Sequence, residues 1–480
     1  MHEQKVTNAM ASNLNSAGTL LLRQPTISGE HIAFLYAGDL WLANRDGSSP
    51  RRLTVHPGVK FSPTFSPDGQ WLAYSSGSFE RGFAVHLISV HGGSPTQLTF
   101  HPTSDMTQGW TPDGEAILFA SSRDSVTPRH TRFFTISRSG GYPTPLPLPM
   151  AARGAYSPDG TKIAYTALPE AFLTWKRYRG GRTTKIWIFD LQSQEISEIP
   201  HDNANNAYPC WLGNTLYFLS DRNGWWNLHR AGASGKPECV LAKQAEFGYP
   251  PWVFGWRTYA LASDETAFCA YHTPDGWNLG KLDLKGKKLS PIRCPYKDIS
   301  HLAADAERLL FLGGAPDSPD AVALRKGTKL LELQTSSPPD PDLQRYVSVP
   351  EAIEFPTDAH PPDDLAHAFY YPPFNPDFQA PDDERPPLIV ISHGGPTAQA
   401  SPALDWRKQY WTSRGFAVVD VNYGGSSGFG RAYRERLAGQ WGLVDVDDCC
   451  NVARHLVSED RADPERLIIR GGSAGGYTTL

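Results

Sequence analysis

From about Leu20 to Gln334 the chain is written in short apolar runs that alternate with polar positions and are broken by polar turns. Runs such as Trp71-Leu72-Ala73-Tyr74 and Ile163-Ala164-Tyr165 are too short for helices, and their setting predicts strands. Three turns share one wording: Phe65-Ser66-Pro67-Asp68-Gly69, Trp110-Thr111-Pro112-Asp113-Gly114 and Tyr156-Ser157-Pro158-Asp159-Gly160. Proline presets φ and glycine supplies a positive φ, so each predicts a tight connection between two strands. Their spacing, roughly 40 to 45 residues, is the length of one four-stranded propeller blade. Strand pairs counted on this rule give about seven blades, near 29–55, 62–99, 108–147, 152–200, 208–243, 250–294 and 299–334. An all-β propeller is therefore expected over residues 20–340, after a polar, Asn-rich arm over 1–19 that is expected to be disordered.

The Pro- and Asp-rich stretch Ser336–Asp342 breaks this pattern and reads as a linker. Beyond it, Ile353-Glu354-Phe355 and His367-Ala368-Phe369-Tyr370 predict a hairpin. Leu388–Ile391 and Phe416–Val421 are continuous apolar runs that predict buried parallel strands, with helical patterns near 403–414 and 445–458 between them. Asp445, Asp447 and Asp448 suit the positive dipole end of the second helix.

That β-α-β series ends on the most informative residues of the chain. Gly471-Gly472-Ser473-Ala474-Gly475 follows the strand-like run Leu467-Ile468-Ile469-Arg470. A Gly-x-Ser-x-Gly pentad in this position predicts a strand-to-helix elbow that presents the Ser473 hydroxyl as a nucleophile, with the Ala474 N–H as an oxyanion donor. His393-Gly394-Gly395-Pro396, just after another strand, is placed to turn further backbone N–H groups into the same site. His393 belongs to that loop and is not the expected base. Residues 341–480 are thus expected to form the N-terminal half of an α/β-hydrolase domain, truncated after the elbow. In that fold the acid and the histidine follow the serine. Residues 474–480 contain neither, so the triad Asp and His are expected to be absent from the chain.

Composition narrows the partners. A net charge of −5 and 40% hydrophobic residues describe a globular chain with no overall pull toward nucleic acid or anionic lipid. No nucleic-acid or membrane partner is expected, and a homo-oligomer is left open. The six cysteines form no CxxC pair, which signals neither a zinc site nor a disulfide framework and suggests a cytoplasmic protein. Asn422–Gly430 is glycine-rich but lacks phosphate-loop spacing, and reads as a loop near the mouth of the site. No cofactor and no metal is expected. Lys176, Arg177, Arg179 and Arg182 around Trp175 and Tyr178 form a basic, aromatic cluster that reads as a solvated loop.

His393-Gly394-Gly395-Pro396, Val421–Ser426, Gln440-Trp441-Gly442 and Arg470–Tyr477 together resemble the prolyl oligopeptidase family, in its acylaminoacyl-peptidase and dipeptidyl-aminopeptidase-like branch. The resemblance runs from about Ser220, through Ser220–Leu228 and Trp252-Val253-Phe254-Gly255, to Leu480. It implies a serine-type peptidase acting on short peptides, with a propeller that covers the site. It also implies that Ser473 is the nucleophile and that the amides of Gly395 and Ala474 hold the oxyanion. Upstream, Gln24 to Asp221 resembles the first propeller of tricorn protease, through Gly38–Trp41, Arg51–Thr54, Gly109–Gly114 and Thr174–Gly181. The chain reads as a mosaic joined near Tyr217–Gly224. The complete enzyme is expected to be active and these 480 residues nearly inactive. The alternative is a noncatalytic, peptide- or protein-binding propeller with a vestigial hydrolase half.

Overall fold

The computed structural model describes residues 22–480, apart from 128–129, 168–183, 233–234, 250–256 and 359–363. The expected arm, the basic cluster around Trp175 and the Trp252–Gly255 motif lie outside the described residues. Residues 23–335 form seven four-stranded sheets in which each strand pairs antiparallel with its neighbour in sequence. These are the blades of a propeller, at 23–52, 59–97, 105–145, 153–198, 206–239, 259–292 and 298–335. The first blade starts earlier than the alternation suggests. Its inner strand, Arg23–Ile27, is polar, contains a proline and carries an irregular register against His31–Tyr36, so no period of two is there to be read.

The repeated turns work through more than Pro and Gly. In each, the hydroxyl of Ser66, Thr111 or Ser157 donates to the carboxylate two residues on, at 2.5–2.6 Å. The same hydroxyl accepts the N–H five residues on, at 2.9–3.0 Å, which ties the two strands together. These bonds hold the carboxyls of Asp68, Asp113 and Asp159 below the usual carboxylate range. Each turn also lies against the one before: a Cβ on Gly114 would sit 3.4 Å from Pro67, and one on Gly160 would sit 3.7 Å from Pro112.

An apolar cluster fills each space between neighbouring blades, including the one that closes the ring. Among the described residues no strand is exchanged at the closure. Ile32, Phe34 and Tyr36 of blade 1 pack against Leu310, Val322 and Leu324 of blade 7. Arg308 supplies the polar part: 1% exposed, it donates to the carbonyls of Ser28, Gly29 and Arg45 and to the Asp305 carboxylate.

The remaining sheet has five strands, β1 (Glu351–Pro356), β2 (Leu365–Tyr371), β3 (Leu388–Ser392), β4 (Ala417–Asn422) and β5 (Leu467–Gly471). Their order is β1-β2-β4-β3-β5; the pairs β3–β4 and β3–β5 are parallel and the others antiparallel. Because side chains alternate across a strand, the sheet buries two faces. Helix α1 (Trp406–Thr412) covers one beside Phe369, Tyr371, Ile389 and Val418. Two further helices follow, α2 (Gly430–Glu435) and α3 (Val444–Ser458), and α3 covers the other face through Cys449, Val452 and Leu456. β5 is an edge strand, and Leu467, Ile468 and Ile469 are exposed there. No helix among the described residues is long and apolar enough to cross a membrane.

The propeller and the α/β unit meet at α2. Arg434 bonds the buried Asp221 at 2.8 Å and lies 3.6 Å from the buried Glu246. Glu246 also accepts the N–H of Trp226 at 2.7 Å and of Gly430 at 3.2 Å, while Arg431 N–H donates to the Gly224 carbonyl at 2.7 Å. Burial pushes the Glu246 carboxyl up to about 7, against the opposing pull of Arg434.

Two outcomes are expected. Arg308→Ala orphans three carbonyls and leaves Asp305 with backbone N–H donors alone, and is expected to cost about 3 kcal/mol in urea unfolding; a loss below about 0.5 kcal/mol would show that the apolar cluster alone closes the ring. Glu246 takes up its proton more readily folded than unfolded, so its contribution to stability falls as pH rises from about 4.5 toward 7 and is flat above. Unfolding midpoints across that window are expected to show this downward contribution in the unaltered chain and to lose it in Glu246→Gln.

Candidate active site

Ser473 stands between β5 and helix α4 (Ala474–Thr479) with φ 55° and ψ −118°. A side chain other than glycine is strained there, and such strain persists only where surrounding contacts hold it. The contacts are backbone against backbone. A Cβ on Gly475 would sit 2.1 Å from the Ser392 carbonyl oxygen, and one on Gly471 would sit 2.2 Å from the Gly475 oxygen. Thus the two outer glycines of the pentad are required by space, whereas Gly472 has no atom within 4 Å of the same construction. Asp445 fixes α4 from behind by accepting the Thr478 hydroxyl at 2.5 Å and the Gly442 N–H at 2.6 Å.

The turn after β3 presses on this elbow. A Cβ on Gly394 would be 2.8 Å from the Gly472 oxygen and 3.3 Å from the Ser473 Cβ. Gly395 has φ +64°, a value glycine adopts at no steric cost. Ala474 opens α4, so its N–H has no intrahelical acceptor. The structure therefore brings the turn after β3, with Gly395, against the turn after β5, with Ser473 and Ala474. Among the described residues the Ser473 hydroxyl is exposed and makes no hydrogen bond to a side chain.

His393 is occupied elsewhere. Its Nε2 lies 2.8 Å from the Ser426 hydroxyl, its Nδ1 lies 3.3 Å from the Tyr423 hydroxyl, and its ring stacks on Tyr423 at 4.3 Å. Burial pushes its pKa down, so it shapes the loop as a neutral ring. Asp420 is likewise committed, to Lys408 at 2.6 Å. Asp448 accepts the Thr357 hydroxyl at 2.5 Å and the Gly424 N–H at 2.7 Å. The helix-start aspartates thus do more than face a dipole: Asp445 and Asp448 are buried anchors for the elbow and for the glycine-rich run. Nothing in the sequence signalled these anchors; beside them Trp441 packs 5.3 Å from Tyr477 of α4.

The glycine-rich run departs from its expected place at the mouth. Residues 422–430 are buried throughout, because the run links the histidine loop to the propeller. Ser426 holds His393, Ser427 donates to the Thr397 carbonyl at 2.7 Å, the Gly428 carbonyl meets His272 at 3.2 Å, and Gly430 N–H reaches Glu246. Above the elbow a cavity of about 1810 Å³ is lined by His393, Gly394 and Gly472 on one side and by blades 1, 2, 3 and 7 on the other. No group of His, Cys, Asp and Glu arranged to hold a metal occurs among the described residues.

The propeller thus faces an α/β sheet whose serine elbow and Gly-Gly loop open into the cavity between them. Residues 402–480 match the prolyl oligopeptidase family of peptidases, and residues 19–248 match the Tricorn protease N-terminal beta propeller domain. Among its relatives, Tricorn protease homolog 1 of Streptomyces coelicolor is 34% identical over 46% of this chain and 20% of its own length. The acylamino-acid-releasing enzyme of Arabidopsis thaliana is 37% identical over 19% of this chain and 12% of its own length. The chain thus matches a fifth or less of the length of these two relatives. A puromycin-hydrolyzing peptidase of Mycobacterium tuberculosis superposes on 96% of this chain and 74% of that one, with 28% identity and a TM-score of 0.83. Its structure runs across the expected join at Tyr217–Gly224, so the two resemblances meet within one known architecture.

The glycine contacts set an expectation. Gly475→Ala is expected to lower the unfolding midpoint by an amount equivalent to about 2 kcal/mol or more, while Gly472→Ala changes it by less than about 0.5 kcal/mol. Equal effects would mean that the elbow is not held by the Ser392 carbonyl.

Proposed function

We propose that the chain is the substrate-covering and nucleophile-bearing part of a serine-type peptidase that hydrolyses short peptides through an acyl-enzyme on Ser473. The observation that carries this reading is the strained Ser473 backbone pressed against the Gly394-Gly395 loop, beneath a cavity roofed by the propeller. The family relationship and the peptidases named above support it. In this reading Ser473 Oγ attacks the peptide carbonyl carbon, and the N–H groups of Gly395 and Ala474 hold the oxyanion that forms. The C–N bond breaks, the amine leaves with a proton, and water releases the acyl group. Proton transfer falls to an acid and a histidine that follow the serine in the family's order. Residues 474–480 offer neither, so residues 1–480 alone are expected to retain only residual catalysis.

The propeller acts as a filter: a roofed cavity admits short, unfolded peptides and excludes folded proteins. We place the protein in the cytoplasm because its six cysteines are all free, with Cys269 and Cys449 buried as thiols. No metal or cofactor enters the reaction as proposed.

A fluorophosphonate applied to the protein isolated from its native source is expected to label Ser473, with labelling and peptide hydrolysis both abolished in Ser473→Ala. A folded native protein that takes no label would overturn the peptidase reading in favour of a peptide-binding propeller.

A further inference from the structure

The cavity wall opposite the elbow carries a feature that the reaction above does not use. On blade 2, Phe61, Phe79 and Phe83 form a mutual edge-to-face trio, with ring centroids 5.3–6.1 Å apart. Phe83 is buried and anchors the group, whereas Phe79, on the hairpin tip, is 82% exposed. An exposed phenylalanine braced by two others is a prepared apolar surface. Beside it, Arg23 of blade 1 lies 5.6 Å over the Phe61 ring. Arg23 makes no hydrogen bond and no ion pair among the described residues. Several other charges around the cavity are matched, Lys408 with Asp420, Arg407 with Asp405, and Asp298 with the hydroxyls of Tyr249 and Ser401, whereas Arg470, beside the elbow and away from the aromatic trio, has no ion pair among the described residues. Asp320, which has no ion pair, stands near Asp298 on blade 7.

The backbone holds this arrangement in place. Arg23 and Phe61 each precede a register shift in the inner strands of blades 1 and 2. The neighbouring Gln24 and Ser62 have φ 45° and 51°, and the Ser62 N–H donates to Gln24 Oε1 at 2.6 Å. Bulges of this kind re-aim side chains and recur near binding sites. All four residues that matter, Arg23, Phe61, Phe79 and Phe83, line the same cavity as His393, Gly394 and Gly472.

We propose that Arg23 and the Phe61–Phe79–Phe83 trio form a subsite for the carboxy-terminal residue of a short peptide, taking its free carboxylate on Arg23 and its aromatic or large apolar side chain on the trio. The proposal rests on the peptidase reading of Ser473. An unpaired guanidinium in a covered cavity favours an anion, and the fork of a guanidinium matches a carboxylate. A peptide's terminal carboxylate always lies on the leaving-group side of the bond that is cut, so the subsite sits on that side of Ser473. The consequence is selection by length: a peptide is held by its tail at the propeller wall and its scissile bond must reach the elbow.

Binding to residues 1–480, which needs no turnover, tests this by titration calorimetry with Ala-Ala-Phe, its C-terminal amide and Ala-Ala-Ala. The free acid is expected to bind about tenfold more tightly than the amide. Arg23→Gln is expected to erase that ratio and Arg23→Lys to retain part of it. Phe79→Ala, at an exposed position that leaves the fold intact, is expected to reduce the preference for Ala-Ala-Phe over Ala-Ala-Ala about fivefold. Equal binding of acid and amide, no measurable binding of Ala-Ala-Phe, or an unchanged ratio in Arg23→Gln would overturn the proposal. A native enzyme that labels at Ser473 while its acid-to-amide ratio is one loses the subsite alone. Intact discrimination in a native protein that takes no label supports the subsite and sinks the peptidase reading.

Discussion

The placement of the nucleophile under the propeller depends on how the irregular backbone of residues 423–429, between the end of β4 and the start of α2, survives burial. A buried segment with no helix or strand of its own must find partners for its amides and carbonyls outside itself. These partners come from both halves of the chain. Asp448 takes the Gly424 N–H from within the α/β unit, while Glu246 and His272 take Gly430 N–H and the Gly428 carbonyl from the propeller. Ser426 then reaches His393, so the loop that presses on the Ser473 elbow is connected to the blades through hydrogen bonds. Moving the propeller would leave several of these groups unpaired at once. The relative position of the nucleophile and its roof is therefore set by polar satisfaction and only secondarily by apolar contact.

Much of this was legible in the sequence because it was repeated or because it needed glycine. The turns at Pro67, Pro112 and Pro158 recur at blade length and carry their own mechanism, so the seven blades could be counted. The elbow could be read because Gly471 and Gly475 sit where no Cβ fits, a demand that substitution cannot relax. What could not be read was of another kind. The strand Arg23–Ile27 carries a register shift, lines the cavity through Arg23 and Gln24, and has no apolar period. The place of the 422–430 run depended on Glu246 and His272, which are remote in sequence and look like ordinary loop and strand residues. Asp445 and Asp448 matched a helix-dipole pattern well enough to hide their larger role as anchors. Local chemistry writes itself into adjacent residues, whereas contacts between domains leave no local trace.

The two resemblances, to tricorn protease upstream and to prolyl oligopeptidases downstream, fit one physical plan. Among the described residues the seam between blades 7 and 1 is held by side-chain packing and by Arg308. The ring has its own apolar clusters, and it meets the α/β sheet through the buried carboxylates Asp221 and Glu246 with their shared cation Arg434, through His272 at the Gly428 carbonyl and through Asp298 at the Ser401 hydroxyl. Sequence can therefore drift at different rates in the two parts while the geometry above Ser473 is kept.

The stacked turns give the ring a further property. Gly114 lies on Pro67 and Gly160 on Pro112, so in this part of the ring each blade offers its successor the surface that it received from its predecessor. A contact that repeats in this way is indifferent to which blade supplies it. Duplication or exchange of a whole blade within this part of the ring keeps a Gly-on-Pro seat of the same kind, whereas gain or loss of a single strand leaves one turn without it. Evolution of such a ring is accordingly quantised: its length changes in units of one blade, and segments of different ancestry can be spliced together wherever a cut keeps the unit whole.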